Sequence, residues 1–204
     1  MSTVDLWQIE SSFREKGFGT ICGIDEAGRG PLAGPVCAAA VILPHGLELS
    51  GLNDSKKLTD KKRSELYEQI ISSAIAYGIA CADEKEIDQI NILQATFRAM
   101  ERAVSRLDVQ PDLVLVDGNR LPQLDVEAHA IIKGDSLSAS IAAASILAKV
   151  TRDRFMEQQD QLYPAYGFAV HKGYGTRRHY EALTELGPCP IHRMTFLRKF
   201  YEAK

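Results

Sequence analysis

Apolar positions change their spacing along this chain, and the changes mark out its elements. Residues 20–25 (TICGID) and 36–43 (VCAAAVIL) are short apolar runs separated by the turn-rich stretch GRGPLAGP, so they read as two strands. From Thr59 to about Tyr77 the apolar residues Leu66, Ile70, Ile71 and Ala74 recur at helical spacing, with Thr59 or Asp60 as N-cap. YGIACA at 77–82 predicts a third strand. Asp83 opens a long helix to about Leu107, with Ile87, Ile90, Leu93, Phe97, Met100 and Val104 on one face. LVLVD at 113–117 has the uninterrupted apolar character of a buried parallel strand, and VEAHAII at 126–132 predicts another. Residues from about Ser136 to Leu162 are Ala-rich and helical, and a short amphipathic helix is expected over 4–16. The last forty residues read as loop, a helix from about Thr176 to Leu186, the turn GPCP and a terminal helix.

This order predicts an α/β fold, a mixed five-stranded sheet flanked by helices, with a helical C-terminal part. A single domain over 1–204 is expected, with 165–204 contributing to substrate binding. No apolar run approaches the roughly 18 residues of a membrane span. MSTVDLWQIE lacks a basic secretory n-region, so a cytoplasmic protein is expected. Cys22, Cys37, Cys81 and Cys189 form no C-x-x-C pair and are expected as separate reduced thiols.

Charge changes the picture further. The net charge is −3, yet residues 53–63, 171–180 and 192–204 each carry a net +3. Residues 83–127 carry −5. An acidic chain with local basic segments can hold a polymer of phosphates on one face.

The acids with chemical promise follow apolar strands and lie beside glycines. Asp25 and Glu26 end the first strand, Asp117 ends LVLVD before Gly118, and Asp135 lies in KGDS after VEAHAII. Ligands of open α/β sheets gather near strand ends. One such acid reads as a loop cap; together they read as a shared metal site. Hydrolysis of a phosphodiester by two Mg²⁺ or Mn²⁺ ions about 3.5–4 Å apart needs this set of hard oxygen ligands. Adjacent strand residues face opposite ways, so Asp25 and Glu26 are expected to share a site only where the strand bends or ends. Asp153 is the rival for the fourth acid, but Lys149 lies four residues before it, and an ion pair explains it more simply.

Gly28, Arg29 and Gly30 could bring backbone close to a sugar and tell ribose from deoxyribose through the 2′-hydroxyl, with Arg29 on a phosphate. Lys172 and Tyr174 in HKGYGT combine a phosphate contact with a ring for a sugar or base. Ser55 and Lys56, with Lys57, in NDSKKL are further phosphate candidates. His171 and His192 are expected in structural or substrate-positioning roles.

The strings ICGIDEAGRGPLAGPV, LNDSKKL, VLVDGN, IKGDS, IAAASILAKVTRDR, YGFAVHKGYGT and PIHRMTF occur in order from about residue 20 to 196. In them the chain resembles bacterial ribonuclease HII, of the type 2 ribonuclease H family. The resemblance implies a ribonuclease H-like fold, with the family's metal-site acids falling on Asp25, Glu26, Asp117 and Asp135. It implies that Gly28, Arg29 and Gly30 read the 2′-hydroxyl and that Tyr174 packs on sugar. It also implies Mn²⁺ or Mg²⁺ as cofactor, RNA–DNA hybrid and ribonucleotide-containing duplex DNA as partners, and incision 5′ to a ribonucleotide, leaving 3′-OH and 5′-phosphate. A monomer is expected, and the related ribonuclease HIII is disfavoured because only about twenty residues precede the first motif. The alternatives are a junction resolvase-like nuclease of the same fold, a non-catalytic hybrid-binding module and a small-molecule phosphohydrolase.

Overall fold

The computed structural model describes residues 5–52 and 58–202. Its strands are β1 (Ile21–Ala27), β2 (Val36–Ile42), β3 (Ala76–Ala82), β4 (Leu113–Asp117) and β5 (Glu127–Ile131). Its helices are α1 (Gln8–Arg14), α2 (Asp60–Ser73), α3 (Glu84–Ser105), α4 (Ala139–Leu162), α5 (Phe168–His171), α6 (Arg177–Leu186) and α7 (Met194–Glu202). The five strands form one sheet in the order β3-β2-β1-β4-β5. β1 is antiparallel to β2, as is β2 to β3, while β4 runs parallel to both β1 and β5. This is the mixed sheet that the sequence predicts.

β2 lies inside the sheet with every residue buried, which is why VCAAAVI shows no polar alternation. One face packs Cys22, Ile24, Val114 and Val116 against Ile87, Ala95, Ala99 and Ala103 of α3. The other packs Ala39 and Val41 against Ala142, Ala143, Ile146 and Leu147 of α4 and Leu66 and Ile70 of α2. A further cluster joins Leu32 and Ala33 to Met156, Phe168, Leu183, Ile191 and Leu197, docking the C-terminal helices on the loop that follows β1. Among the described residues no helix is long and apolar enough to cross a membrane.

Helix starts follow side-chain caps. Thr59 accepts from the Lys62 amide, Asp83 from Glu86 and Ser138 from Ile141. The last of these delays α4 to Ala139, after a 3-10 turn at Gly134–Ser136 that holds Asp135. α2 stops at Ser73 because Ala74 is already extended toward β3.

Three expectations are corrected. β1 neither bends nor ends at the acid pair: Asp25 lies opposite Ala39 and Glu26 opposite Ala38 in unbroken register through Ala27. The long helix α3 is kinked at Asn91, whose φ is 66° and whose side chain accepts from the Leu93 and Gln94 amides, capping the second half anew. Cys37 and Cys81 are not separate thiols: they face each other directly across β2 and β3 and are joined by a disulfide, while Cys22 and Cys189 are free and buried.

Candidate active site

The acids come from the ends of two strands, β1 and β4, and from one turn. Asp25 is 6% exposed and hydrogen-bonds Ser145 of α4. Glu26 leaves the opposite face of β1 and borders a cleft with Leu93, Thr96, Phe97 and Met100 of α3 and with Asp117. β4 pairs Val116 with Ile24, so Asp117 follows beside Asp25 at the parallel strand's end. The Asp135 amide donates to Asp117 Oδ1 at 3.4 Å, which draws the 3-10 turn to the same place. Asp117 stands within electrostatic reach of both Asp25 and Glu26 although these two leave opposite faces of β1.

That reach appears in their proton affinities. Burial drives the Asp25 carboxyl well above the ordinary aspartate value, and the charges of Glu26 and Asp117 push it further up. Burial likewise raises Glu26, the Arg29 guanidinium opposes the rise, and Asp117 adds to it. Among the described residues no three acidic, histidine or cysteine side chains close on a single point as a finished cation cage. The donors are carboxylates, the hard oxygen chemistry that Mg²⁺ and Mn²⁺ take, and a divalent charge would offset the repulsion.

Gly28 has φ +100°, and a Cβ there would stand 2.1 Å from Arg152 Nε and 2.7 Å from the Pro35 carbonyl oxygen, so only glycine fits. Arg29 is exposed and lies 3.5 Å from Glu26 Oε1. A Cβ on Gly30 would meet the Tyr174 ring at 3.5 Å, so the glycine turn and the half-exposed tyrosine form one lip of the groove. The Leu32 amide donates to the Gly173 carbonyl at 2.8 Å and fastens the two loops together. Lys172, expected at a phosphate, is largely buried in an ion pair with Glu157 at 2.6 Å. Ser55, Lys56 and Lys57 lie outside the described residues. Asp153 is held by Lys149 at 2.8 Å, as the helical spacing predicts.

Residues that the sequence reading passed over also line the site. Arg63, Lys149 and Ser145 border a second cleft with Glu26, Gly28 and Tyr174. The sequence signal for Arg63 and Lys149 is a basic side chain on a predicted helix, and Ser145 carries none.

A buried histidine group supports the lip from behind. His179 and His192 are 0% and 2% exposed, and their Nε2 atoms lie 2.9 Å apart. One set of neutral tautomers satisfies the contacts: the Cys189 amide donates to His192 Nδ1, His192 Nε2–H to His179 Nε2, and His179 Nδ1–H to the Tyr174 carbonyl. His171, stacked on His179, accepts from the Gly173 amide and donates to the Tyr166 carbonyl. Burial lowers both His179 and His192 from 6.5 to about 4. Their folded-state values are depressed, so the stability they lend is complete above about 6.5 and is lost as the pH falls toward about 4. Each of the two histidines is expected to contribute a loss of about 2 kcal/mol in urea unfolding between pH 6.5 and 4.5. His192→Asn should flatten that slope; an unchanged slope would contradict the assignment.

Comparison with known proteins gives the family and the fold. The model of the family described as Ribonuclease HII matches residues 22–199. A ribonuclease HII of Geobacter sulfurreducens is 59% identical over 191 residues, covering 94% of this chain and 88% of that protein. One from Ruminiclostridium cellulolyticum is 57% identical over 187 residues, 92% of this chain and 73% of that protein. The crystal structure of the ribonuclease H2 from Pyrococcus horikoshii OT3 superposes with a TM-score of 0.76 at 29% identity, covering 91% of this chain and 98% of that one.

Proposed function

The chain belongs to the ribonuclease HII family, and from that premise we propose that Asp25, Glu26, Asp117 and Asp135 are its catalytic, metal-holding acids. Its activity is that of a metal-dependent endoribonuclease that degrades RNA in RNA–DNA hybrids and incises at ribonucleotides embedded in DNA. The observation that carries the site assignment is that the β1–β4 pairing sets Asp117 beside Asp25 while the Asp135 amide donates to the Asp117 carboxylate.

Asp25, Glu26, Asp117 and Asp135 would hold Mn²⁺ or Mg²⁺, which when bound would supply positive charge near the attacking water and the departing 3′ oxygen. The remaining work belongs to the chain. Ser145 fixes the Asp25 carboxyl by its hydrogen bond, and the β1–β4 pairing fixes the spacing of Asp25 and Asp117. Asp25 and Glu26, whose carboxyls burial raises above the ordinary value, would have to be deprotonated to hold a cation. Gly28, Arg29 and Gly30 present backbone to the ribose, and the Tyr174 ring packs on the neighbouring sugar. Arg63 and Lys149 line the groove where a phosphate backbone would run, and Lys172 joins them only if its pair with Glu157 opens. Ser55 and Lys56 are assigned the same phosphate role.

A duplex carrying one embedded ribonucleotide, incubated with and without Mg²⁺ or Mn²⁺, tests the reading. The expected product is a single cut 5′ to the ribonucleotide, giving 3′-OH and 5′-phosphate, with an all-deoxy duplex left intact. Equal cutting of the all-deoxy duplex would favour the junction resolvase-like reading. Tight binding without any cleavage would favour a hybrid-binding module.

A further inference from the structure

Two buried arginines hold the loop between β1 and β2. Arg193, 0% exposed, donates from Nη2 to the Gly28 carbonyl at 2.6 Å, from Nη1 to Arg29 at 3.0 Å and from Nε to Gly34 at 2.8 Å. Arg152, 1% exposed, donates to the Pro35 carbonyl at 2.9 Å and to Ala33 at 3.1 Å. The loop therefore turns its carbonyls inward onto two guanidiniums.

A trans peptide is planar, so the amide N–H after each carbonyl points the opposite way. With the Gly28 and Arg29 carbonyls fixed on Arg193, the Arg29 and Gly30 N–H groups face away from the interior. Both residues are exposed, and Gly30 lies against the Tyr174 ring. We infer that Arg193 is the positioning residue for ribose discrimination: by holding the Gly28 and Arg29 carbonyls it aims the Arg29 and Gly30 amides at the sugar 2′-hydroxyl. This rests on the proposed ribose-reading role of the Gly28–Gly30 turn and assigns the residue that gives the turn its orientation. The three bonds go to three peptide planes, which suits a planar guanidinium with divergent donors and not the point charge of a lysine.

Burial and the neighbouring Arg152 charge bring Arg193 down to about 9, so it remains a cation at neutral pH. Carbonyl dipoles, rather than a hydrogen-bonded carboxylate, compensate it among the described residues. Such an arrangement constrains backbone direction strongly, because tilting either peptide would unpair a buried donor.

The test is the ratio of affinities for a duplex with one ribonucleotide and the same duplex with deoxyribose at that position, measured in chelator so that neither is cut. Arg193→Lys is expected to shrink this preference by about tenfold, the worth of roughly one hydrogen bond, while affinity for the all-deoxy duplex stays unchanged. A purely architectural arginine would lower both affinities together and leave the ratio alone; that result, or a preserved preference in a folded variant, overturns the inference. Should Arg193→Lys not fold, backbone amide NMR of the unmodified protein decides. Arg29 and Gly30 resonances should shift with the ribonucleotide duplex and not with the all-deoxy one, and equal responses would refute it. A wild-type protein with no ribonucleotide preference would instead count against the reading of the turn itself.

Discussion

Asp117→Asn should lower single-turnover cleavage by about 10³-fold or more while changing duplex affinity by less than about threefold. The amide has nearly the carboxylate's shape and keeps an oxygen for the Asp135 N–H, so β4 and the 3-10 turn have no reason to move. What it removes is one negative charge in a place where three buried or half-buried acids already repel one another. Cation affinity at such a site scales with the charge gathered there, so the loss falls on the metal-dependent step. On the proposed reading, duplex binding rests on other groups that border the groove, including Arg63, Lys149 and the Tyr174 ring. Single-turnover cleavage in Mn²⁺ and fluorescence anisotropy in chelator separate the two quantities. Cleavage within tenfold of wild type would remove Asp117 from the chemistry.

Gly23→Ala should destabilise the fold by about 3 kcal/mol, an unusually large effect for one methyl group. A Cβ at this position would lie 2.2 Å from the Ser140 carbonyl carbon and 2.3 Å from the Ile141 nitrogen. Both are backbone atoms of the first turn of α4, which a rotamer change cannot clear. β1 and α4 therefore touch main chain to main chain, and that contact sets where Ser145 meets Asp25. Separating them would loosen the acid site as well as the core. Gly30→Ala is the control: its nearest neighbour is the Tyr174 ring at 3.5 Å, so it should unfold like wild type. Denaturant midpoints compare the two, and equal stability of the Gly23 and Gly30 variants would contradict the packing described.

Much of this was legible before any coordinates. An apolar run followed by an acid and a glycine is both a strand-end signal and a ligand signal, so Asp25, Asp117 and Asp135 could be singled out together. The resemblance to bacterial ribonuclease HII gave the fold and the family, and the family match over residues 22–199 agrees with it. The continuation of β1 through Ala27 was not legible, because glycine-rich sequence after an acid pair reads equally well as a bend. Its partner β2 decides, by extending the pairing to Cys37 opposite Ala27. The kink at Asn91 was hidden because the apolar spacing on either side stays helical, and only the positive φ and the side-chain cap reveal it. The Cys37–Cys81 pair depends on strand register, which four separate cysteines in a sequence do not encode. Arg152 and Arg193 were passed over for a similar reason: basic residues in TRDR and IHRMTF read as surface charge, whereas their partners are carbonyls 117 to 165 residues away.

Mn²⁺ titration followed by electron paramagnetic resonance, with an uncleavable ribonucleotide duplex present, examines the shared carboxylate site itself. The expected result is two bound ions in the wild-type protein, with occupancy or affinity clearly reduced in each of Asp25→Asn, Glu26→Gln, Asp117→Asn and Asp135→Asn. Wild-type Mn²⁺ binding in all four variants would mean that these acids do not act as one cation-holding centre.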